Sequence, residues 1–407
     1  MSQAKNNITR QKTYLQRTRL KGFRTIQDIE IDFDDGLNVI IGKNGTGKSN
    51  FLKFLYAAMS LSLEALPQTR AFLVYFRKGL EALSIEIEKN LEAIIKNGTA
   101  NGKSSPISYK IFKDETLQHQ AIHAEDVYAF MDSHRLSFSP VFISHGIPAD
   151  YYLADKSFSF NIDRAGFIDK YPGLISDPVH SYFLKGMIHF IFLESLTLFE
   201  KTKSPTRNQI EAVLSRAFQL LEPTGRILEI FDIKGLRINK NYNVVFDRKR
   251  KEFSVSNLFL EFKVDRQWLP FSHLSDGTRR LFYIVSEIFF PGVFKYRKNR
   301  FELESQETNK IILIEEPELG LHPAQLDSLL DVLKQASAEH QIIITTHAPQ
   351  LLDILGKEDL NKIIIARLSK DGTLLRHLTQ KERTKAGLYM EEEAFLSDYW
   401  RFSDLEG

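Results

Sequence analysis

The sequence predicts an α/β fold, in which a mixed and partly parallel sheet with flanking helices carries a large, mainly helical insertion. Residues Leu20 to Leu61 pass from strand-like runs through a glycine-rich loop into a helical pattern. The last third of the chain alternates buried strands with helices, whereas long helix-like stretches prevail from Ser60 to Ser256. We therefore expect one discontinuous domain, 1–60 and 257–407, with an insertion at 61–256.

Local patterns predict the individual elements in chain order. Helical periodicity predicts helices at Asn50–Leu61, Glu64–Lys96, Val179–Lys201, Asn208–Leu221, Pro323–Ala336, Pro349–Leu355 and Met390–Tyr399. Short apolar or alternating runs predict strands within Leu20–Ile41 and at Ile107–Lys113, Tyr242–Phe246, Phe253–Val255, Ile311–Ile314 and Ile342–Thr345. Turn residues predict a flexible loop at Asn97–Pro106 and a hairpin at Ile363–Leu378 around Asp371-Gly372.

Composition excludes several classes of protein. The 407 residues include no cysteine, which excludes disulfides and thiolate zinc sites, and the net charge of +2 provides no global field for nucleic acid. The most apolar run, Tyr182 to Phe199, contains Lys185, His189 and Glu194, so we expect no membrane span there. The polar start of the chain lacks an export signal, and we expect a cytoplasmic protein.

The glycine-rich loop, Gly42 to Ser49, matches the pattern G-x-x-x-x-G-K-[S/T] at every fixed position. Glycines let the backbone amides face phosphates, Lys48 reaches the β- and γ-phosphates, and the Ser49 hydroxyl is a magnesium ligand. The cofactors predicted are ATP and Mg²⁺. The predicted nucleotide-binding residues in and after the loop are Asn44, Gly45, Thr46, Gly47, Lys48, Ser49 and Asn50.

Acidic residues follow a buried strand, Ile311 to Ile314, at the end where open α/β sheets place their ligands. Glu315 would hold the magnesium through water, and Glu316 would polarise the attacking water. A solvated acidic turn after a core strand is the alternative interpretation.

Polar residues follow a further buried strand and precede a further helix. His347 comes after Ile342 to Thr345 and is predicted to sense the γ-phosphate, the alternative being a structural histidine. Ser275 and Asp276 can cap a helix that runs through Ser286, whose free amides suit an anion. Capping alone is the alternative there.

Taken in order, these motifs resemble those of ABC-type P-loop ATPase heads of the RecF/SMC-like and OLD-like (AAA-type) family. The resemblance covers roughly 14–60 and 265–380, and rests also on Leu20-Lys21-Gly22-Phe23-Arg24 and on Glu315 to Pro323. It implies catalytic roles for Glu316, His347 and Lys48. It also implies that Ser275 and Gly277 contact the ATP of a second head, so at least an ATP-dependent dimer is expected.

The resemblance implies less about other positions and about the biological role. It suggests that Arg24 touches the nucleotide while Phe23 is core, and it selects neither Gln118 nor Gln120 as a Q-loop glutamine. Relatives of this size belong to anti-phage defence modules, often beside a separate effector, a nuclease or toxin, while others act in DNA repair, and we favour defence. The tail after Gly356 is short for a Toprim nuclease domain, so we expect no intrinsic nuclease site.

Other functions compete with a defence ATPase. A DNA-repair clamp would use local basic runs at Arg17–Arg24, Arg248–Lys251 and Lys295–Arg300, although each run can equally be a solvated face. A transporter subunit is less favoured because it would lack the insertion. His119, His123, His134 and His145 lack a paired ligand spacing and are interpreted as scattered surface histidines.

Overall fold

The computed structural model describes residues 12–61, 71–79, 81–89, 107–134, 138–147, 158–162, 182–202, 205–247, 252–290, 293–297, 300–304, 309–392 and 395–403. The chain forms two compact units. The first consists of Met1–Phe142, Asn309–Pro317 and Leu333–Gly407, and the second of Ile143–Thr308 and Glu318–Val332.

The centre of the first unit is a mixed, largely parallel sheet. Its strands, in spatial order, are β20 (Gly372–His377), β19 (Ile363–Ser369), β3 (Leu37–Ile41), β18 (Gln341–Thr346), β17 (Asn309–Glu315) and β8 (Phe138–Ile143). Strand β3 pairs in parallel with both β18 and β19, and β18 pairs in parallel with β17. Every residue of β3 and β18 is buried, which agrees with the continuous apolar runs predicted to be central strands.

Helix α1 (Lys48–Met59) follows β3 and contacts β17 and β18. Its buried face includes Phe51, Leu52 and Leu55, at the spacing that a helix needs to present one apolar side. The strand, loop and helix predicted around the phosphate-binding loop are therefore confirmed.

The first unit also contains an antiparallel sheet. Its strands, in spatial order, are β2 (Ile26–Asp32), β1 (Thr13–Phe23), β4 (Ala71–Lys78), β5 (Glu81–Lys89), β6 (Ile107–Lys113) and β7 (Thr116–Ala121). Helix α2 (Ala124–Ser133) packs on β6 and β7.

The helix predicted at Glu64–Lys96 is wrong over its described residues, which form β4 and β5. Leu83, Ile85 and Ile87 are buried at every second position. This is the period of a strand with one face on a core, and the sheet partners on both sides satisfy its backbone groups. The strand predicted at Ile107–Lys113 is confirmed, and the loop predicted at Asn97–Pro106 lies outside the described residues.

The second unit contains the long helices of the insertion. Helix α3 (Tyr182–Lys201) and helix α4 (Arg207–Gln219) confirm two predicted helices, and α4 begins with a capping box made by Thr206 and Gln209. Helix α5 (Glu222–Leu228) follows α4. The strands of this unit are β9 (Phe158–Ile162), β10 (Ile233–Ile238), β11 (Asn243–Asp247), β12 (Glu252–Leu258), β13 (Leu260–Val264), β14 (Gln267–Pro270), β15 (Val293–Arg297) and β16 (Arg300–Glu304). The described part of residues 61–256 thus holds both strands and helices.

Helix α6 (Asp276–Phe289) and helix α7 (Pro323–Ala336) follow later in the chain. The predicted start of α6 at Ser275 is confirmed, as are the predicted bounds of α7. Among the described residues, no helix is both long enough and apolar enough to cross a bilayer.

The end of the chain differs from the prediction. The hairpin β19–β20 is confirmed, but Pro349–Ile354 is a 3-10 helix, and the single helix predicted at Met390–Tyr399 is wrong. Helix α8 (Gln380–Glu391) ends close to Met390, where the predicted helix would begin. Helix α9 (Leu396–Phe402) is a separate helix. The Asp353 carboxylate accepts hydrogen bonds from the amide and hydroxyl of Ser397 at the first turn of α9, a contact from a distant residue that local periodicity does not encode.

The start of α8 provides a stability test. Glu382 accepts two hydrogen bonds of 2.8 Å from the Arg376 guanidinium, and Thr379 completes a capping box with it. Arg376, followed by the Thr379 amide and hydroxyl, lowers the pKa of Glu382 to about 2. Because the folded-state pKa lies below the unfolded one, this stabilisation is present above about pH 4.5 and is lost as pH falls towards 2.

We therefore expect Glu382→Gln to reduce the free energy of unfolding of the first unit by about 2 kcal/mol at pH 7. The difference from wild type should shrink between pH 4.5 and 2. Urea unfolding at a series of pH values measures it, with the exposed Glu392→Gln as the matched control. A difference that stays constant with pH would rule out the proposed ion pair as its cause.

Candidate functional site

The phosphate-binding loop connects the buried end of β3 to the first turn of α1. Its Gly42 amide donates to the carbonyl of Thr346 at the end of β18, 3.3 Å away, which fixes the loop to the neighbouring strand. Lys48 is only 5% exposed, and its Nζ donates to the carbonyls of Gly42 at 2.6 Å and Lys43 at 2.9 Å. The loop is thus folded around the ammonium group of the lysine that the sequence predicts to bind phosphate.

Two glycines of the loop are required by their surroundings. A Cβ on Gly42 would overlap the carbonyl oxygen of Ala366 in β19. Gly47 has a φ of 93°, in the left-handed region, and a Cβ there would overlap Oγ1 of Thr373. The pattern therefore needs glycine at both positions for packing as well as for access to an anion.

The backbone amides of the first turn of α1 and the Lys48 ammonium form an anion site of the kind that binds phosphate at helix N-termini. Asn44 and Gly45 are exposed and Thr46 is buried, with its hydroxyl on the Lys43 carbonyl at 2.9 Å. Ser49 and Asn50 are half-buried in the first turn of α1. The structure brings these predicted nucleotide-binding residues together, as their closeness in sequence requires.

The predicted acidic pair lies at the same edge of the sheet. Glu315 is fully buried at the end of β17, in register with Thr345 of β18, while Thr346 is in register with Ile41 of β3. Since parallel strands end at a common edge, Glu315, the phosphate-binding loop and the residues after β18 converge there.

Glu316 and His347 contact each other at this edge. The His347 Nδ1 lies 3.4 Å from Oε1 of Glu316, and the Glu316 amide donates to the Thr345 carbonyl at 2.8 Å. Glu316 has a φ of 43°, a left-handed conformation that a non-glycine residue rarely adopts and that is found at functional sites. Its side chain is 22% exposed, so water can reach the carboxylate.

The residues at this edge fit a magnesium ion. Ser49 offers a hydroxyl oxygen and Glu315 a carboxylate, and hard cations such as Mg²⁺ prefer oxygen ligands. Glu315 is fully buried, and a bound cation stabilises a buried carboxylate. Bound there, the ion would neutralise negative charge on the β- and γ-phosphates.

Arg24 is placed beside the start of α1. It has a φ of 51° in the turn between β1 and β2, and its Nη1 donates to Oδ1 of Asn50 at 2.7 Å. Two predicted nucleotide-binding residues are therefore in direct contact, although one follows β1 and the other lies in α1. Phe23 is buried, with its ring centroid 5.1 Å from that of Phe54, and is core as predicted.

Ser275 and Gly277 lie in the second unit, at the start of α6. The Ser275 Oγ accepts a hydrogen bond from the Thr278 amide at 3.2 Å, so the predicted cap is present. Gly277 is buried against the backbone of Gly320, whose φ of 77° is left-handed. A side chain on Gly277 would overlap the Gly320 carbonyl, which explains the glycine by packing; contact with ATP stays a prediction.

Other candidates are located as follows. Gln118 and Gln120 lie on the exposed strand β7, and nothing about their position selects a Q-loop residue. His119, His123 and His145 are exposed, as the surface interpretation predicts, but His119 and His134 are close together, since both rings stack on Phe130. Within the described ranges, no group of three or more histidine, aspartate or glutamate side chains is arranged to hold a metal ion.

Two residues beside the loop were missed by sequence reasoning, Thr25 and Thr373. Their hydroxyls are 2.7 Å apart and lie against Gly47, although 348 positions separate them in the chain. Threonine in a strand or turn is common, and no local pattern marks either one.

The chain is similar in sequence to proteins that are already known. Residues 37–353 match the family model described as "AAA domain, putative AbiEii toxin, Type IV TA system". Septu protein PtuA of Bacillus thuringiensis is 21% identical over 380 residues, which are 92% of this chain and 81% of that protein. An ATP/GTP phosphatase of Helicobacter pylori is 22% identical over 361 residues, 84% of this chain and 88% of that one.

The fold has a counterpart among solved structures. The Smc head bound to the C-winged helix domain of ScpA superposes with a TM-score of 0.52 at 14% identity, covering 91% of this chain and 99% of that one. The predicted P-loop fold and the predicted resemblance are confirmed. The chain belongs to the AAA-domain family named above, is similar in sequence to the DNA replication and repair protein RecF, and has the P-loop ATPase fold of an Smc head.

Proposed function

We propose that this protein binds ATP with Mg²⁺, hydrolyses it, and does so in composite sites formed between two copies of the chain. The observation that carries the proposal is the contact between Glu316 and His347 at the sheet edge where the phosphate-binding loop begins. A general base, a polar partner that orients it, and an anion site are the parts that phosphoryl transfer to water needs.

Hydrolysis would follow from the positions of these side chains. The Glu316 carboxylate accepts a proton from the attacking water, whose oxygen bonds to the γ-phosphorus as the bond to the β–γ bridging oxygen breaks. His347 holds the carboxylate from one side and can hydrogen-bond the departing phosphate. Lys48 and the amides of the first turn of α1 stabilise the charge that develops on the phosphate oxygens.

The composite arrangement is proposed because Ser275 and Gly277, at the start of α6, match the motif that contacts the ATP of a second head in ABC-type ATPases. Hydroxyl and amide groups at the start of α6 suit the γ-phosphate of an ATP held by another copy. We further propose that residues 1–60 and 257–407 form the ATPase domain and that residues 61–256 are an insertion in it.

A mixing experiment tests the composite site. We expect Lys48→Ala and Ser275→Arg each to abolish turnover alone, because each homodimer lacks one half of both sites. Mixed in equal amounts, they should regain about a quarter of wild-type activity, since half of the dimers would contain one intact site of two. Phosphate release measures turnover, and Ser215→Arg, at an exposed position on α4, is the control. Activity that does not recover on mixing would argue for sites complete in one chain.

For the biological role, we propose the sensor or regulatory ATPase of a cytoplasmic anti-phage defence system with a separate effector, a nuclease or toxin. The family description, which names a toxin of a Type IV TA system, and the likeness to Septu protein PtuA support this role. Plating efficiency of phage on cells carrying the gene with its genomic neighbours tests it. We expect protection to require Lys48, and equal protection by Lys48→Ala would contradict the proposal.

A DNA-repair clamp remains the competing function, because RecF is also among the relatives. One basic run does not favour it. On the exposed face of β1, Arg17 pairs with Asp32 and Glu30, and Arg19 and Lys21 pair with Asp28. These acidic partners cancel the positive charge that a phosphate backbone would need. The side chains of the runs at Arg248–Lys251 and Lys295–Arg300 lie outside the described residues.

A further inference from the structure

The loop-facing side of the hairpin β19–β20 contacts both ends of the phosphate-binding loop. Ala366 in β19 lies against Gly42, the first glycine, and Thr373 in β20 lies against Gly47, the last one. This hairpin lies far from the loop in sequence, because the loop ends at Ser49 and β19 begins at Ile363.

Thr373 is held in place from the other side by the turn between β1 and β2. Its amide donates to the Thr25 carbonyl at 2.8 Å, and the two hydroxyls form a hydrogen bond of 2.7 Å. Gly372, with a φ of 112°, lets the backbone approach so closely that a Cβ there would overlap the Thr25 carbonyl. Thr373 is only 7% exposed, so its hydroxyl has few other partners to exchange with.

We propose that Thr25 and Thr373 are positioning residues for ATP, a clasp that holds Gly47 and so keeps the phosphate-binding loop in its binding conformation before ATP arrives. The inference rests on the proposed ATP binding. Gly47 needs a left-handed φ for the next amides to face a phosphate, and fixing a glycine in one conformation costs more backbone entropy than fixing any other residue. The hydroxyls of Thr25 and Thr373, packed against Gly47, exclude other conformations of the loop when no nucleotide is bound.

The physical consequence is preorganisation. If the clasp is lost, the free loop samples more conformations, and ATP binding must then restore the binding one. The affinity for ATP should fall, but the rate of the chemical step should change little. Both threonines lie against Gly47 and not beside Glu316, which activates the attacking water. The effect therefore appears in KM and Kd for ATP rather than in kcat.

Thr373→Val tests the clasp, because valine has nearly the same shape and suits a strand but cannot form the hydroxyl bond. In the free protein, we expect the amides of Thr46 and Phe51, which donate within the loop and the first turn, to exchange with solvent roughly five-fold faster. Hydrogen exchange followed by mass spectrometry or NMR measures this without nucleotide.

ATP binding is the second measurement. By calorimetry with a non-hydrolysable analogue and Mg²⁺, we expect the Kd of Thr373→Val to rise roughly five-fold, the factor that one hydrogen bond of this kind contributes. Thr373→Ser keeps the hydroxyl and should restore exchange and affinity to near wild-type values. Thr384→Val, at an exposed threonine of α8, is the matched control. Thr25→Val should have the same effect, and the double variant should be no worse than either single one.

The outcomes separate this inference from the proposed function. Unchanged exchange in Thr373→Val overturns the clasp, and so does unchanged ATP affinity when the wild type binds ATP. Faster exchange together with a wild type that binds no ATP would leave the clasp standing and reject the proposed function. If Thr373→Val does not fold, Thr25→Val decides by the same criteria.

Discussion

Replacing Glu316 by glutamine is expected to lower ATP turnover by roughly 10² to 10³-fold while ATP binding stays within about two-fold of wild type. Glutamine has the shape of glutamate but cannot accept the proton of the attacking water. The contact with His347 at 3.4 Å can persist, because a histidine nitrogen can hydrogen-bond an amide as well as a carboxylate. The loss should therefore fall on kcat rather than on KM.

Phosphate release and nucleotide binding measured on the same preparation test this expectation. The glutamine variant should also accumulate as an ATP-bound dimer, visible by light scattering, because the ATP bound between the two copies is no longer hydrolysed. Glu339→Gln, at an exposed position after α7, is the matched control. Turnover at the wild-type level in Glu316→Gln would mean that another residue activates the water, and the role assigned to this edge of the sheet would have to be withdrawn.

Replacing Lys48 by alanine is expected to weaken ATP binding by roughly 100-fold, the effect of losing a charged hydrogen-bond donor to phosphate. The substitution has a second consequence that the pattern alone does not reveal. The ammonium group also donates to the carbonyls of Gly42 and Lys43, so alanine removes ties within the loop. We therefore expect turnover to be lost along with binding.

Binding of a fluorescent ATP analogue measures the effect, and a thermal melt shows whether the first unit remains folded. Lys53→Ala, later in α1, removes a lysine from the same helix and should leave binding unchanged. Lys48→Arg keeps the positive charge in a bulkier group and should bind ATP only weakly, because the buried loop fits a single ammonium. ATP affinity near wild type in Lys48→Ala would contradict a phosphate-binding role for the loop.

The sequence by itself determined the strands, loop and helix around Lys48, the acidic end of β17, the strand before His347 and the cap at Ser275. Each of these is a short segment in which periodicity, glycine positions and capping residues all favour the same local structure. Because the buried parallel strands are recognisable, their shared edge could also be expected, and with it the closeness of Glu316 and His347.

Longer-range features needed the tertiary structure. Residues 71–89 contain apolar positions that suit either a helix or a strand, and the neighbouring strands β1 and β6 decided for a sheet. The break between α8 and α9 depends on Asp353, which lies far from Ser397 in the chain. Local propensity is a weak guide wherever distant partners provide most of the stabilisation.

The contacts around the phosphate-binding loop also could not be predicted from local sequence patterns. The glycine pattern indicates which residues meet phosphate, but not that Ala366 and Thr373 press on its two ends or that Thr25 holds Thr373. Likewise, the run from Arg17 to Arg24 looks like a basic surface in the sequence alone. In the structure, Asp28, Glu30 and Asp32 of β2 lie opposite this run and neutralise its charge. Motifs encode the groups that do chemistry, whereas contacts between segments hundreds of residues apart arise only when the sheet assembles and brings their backbones into register.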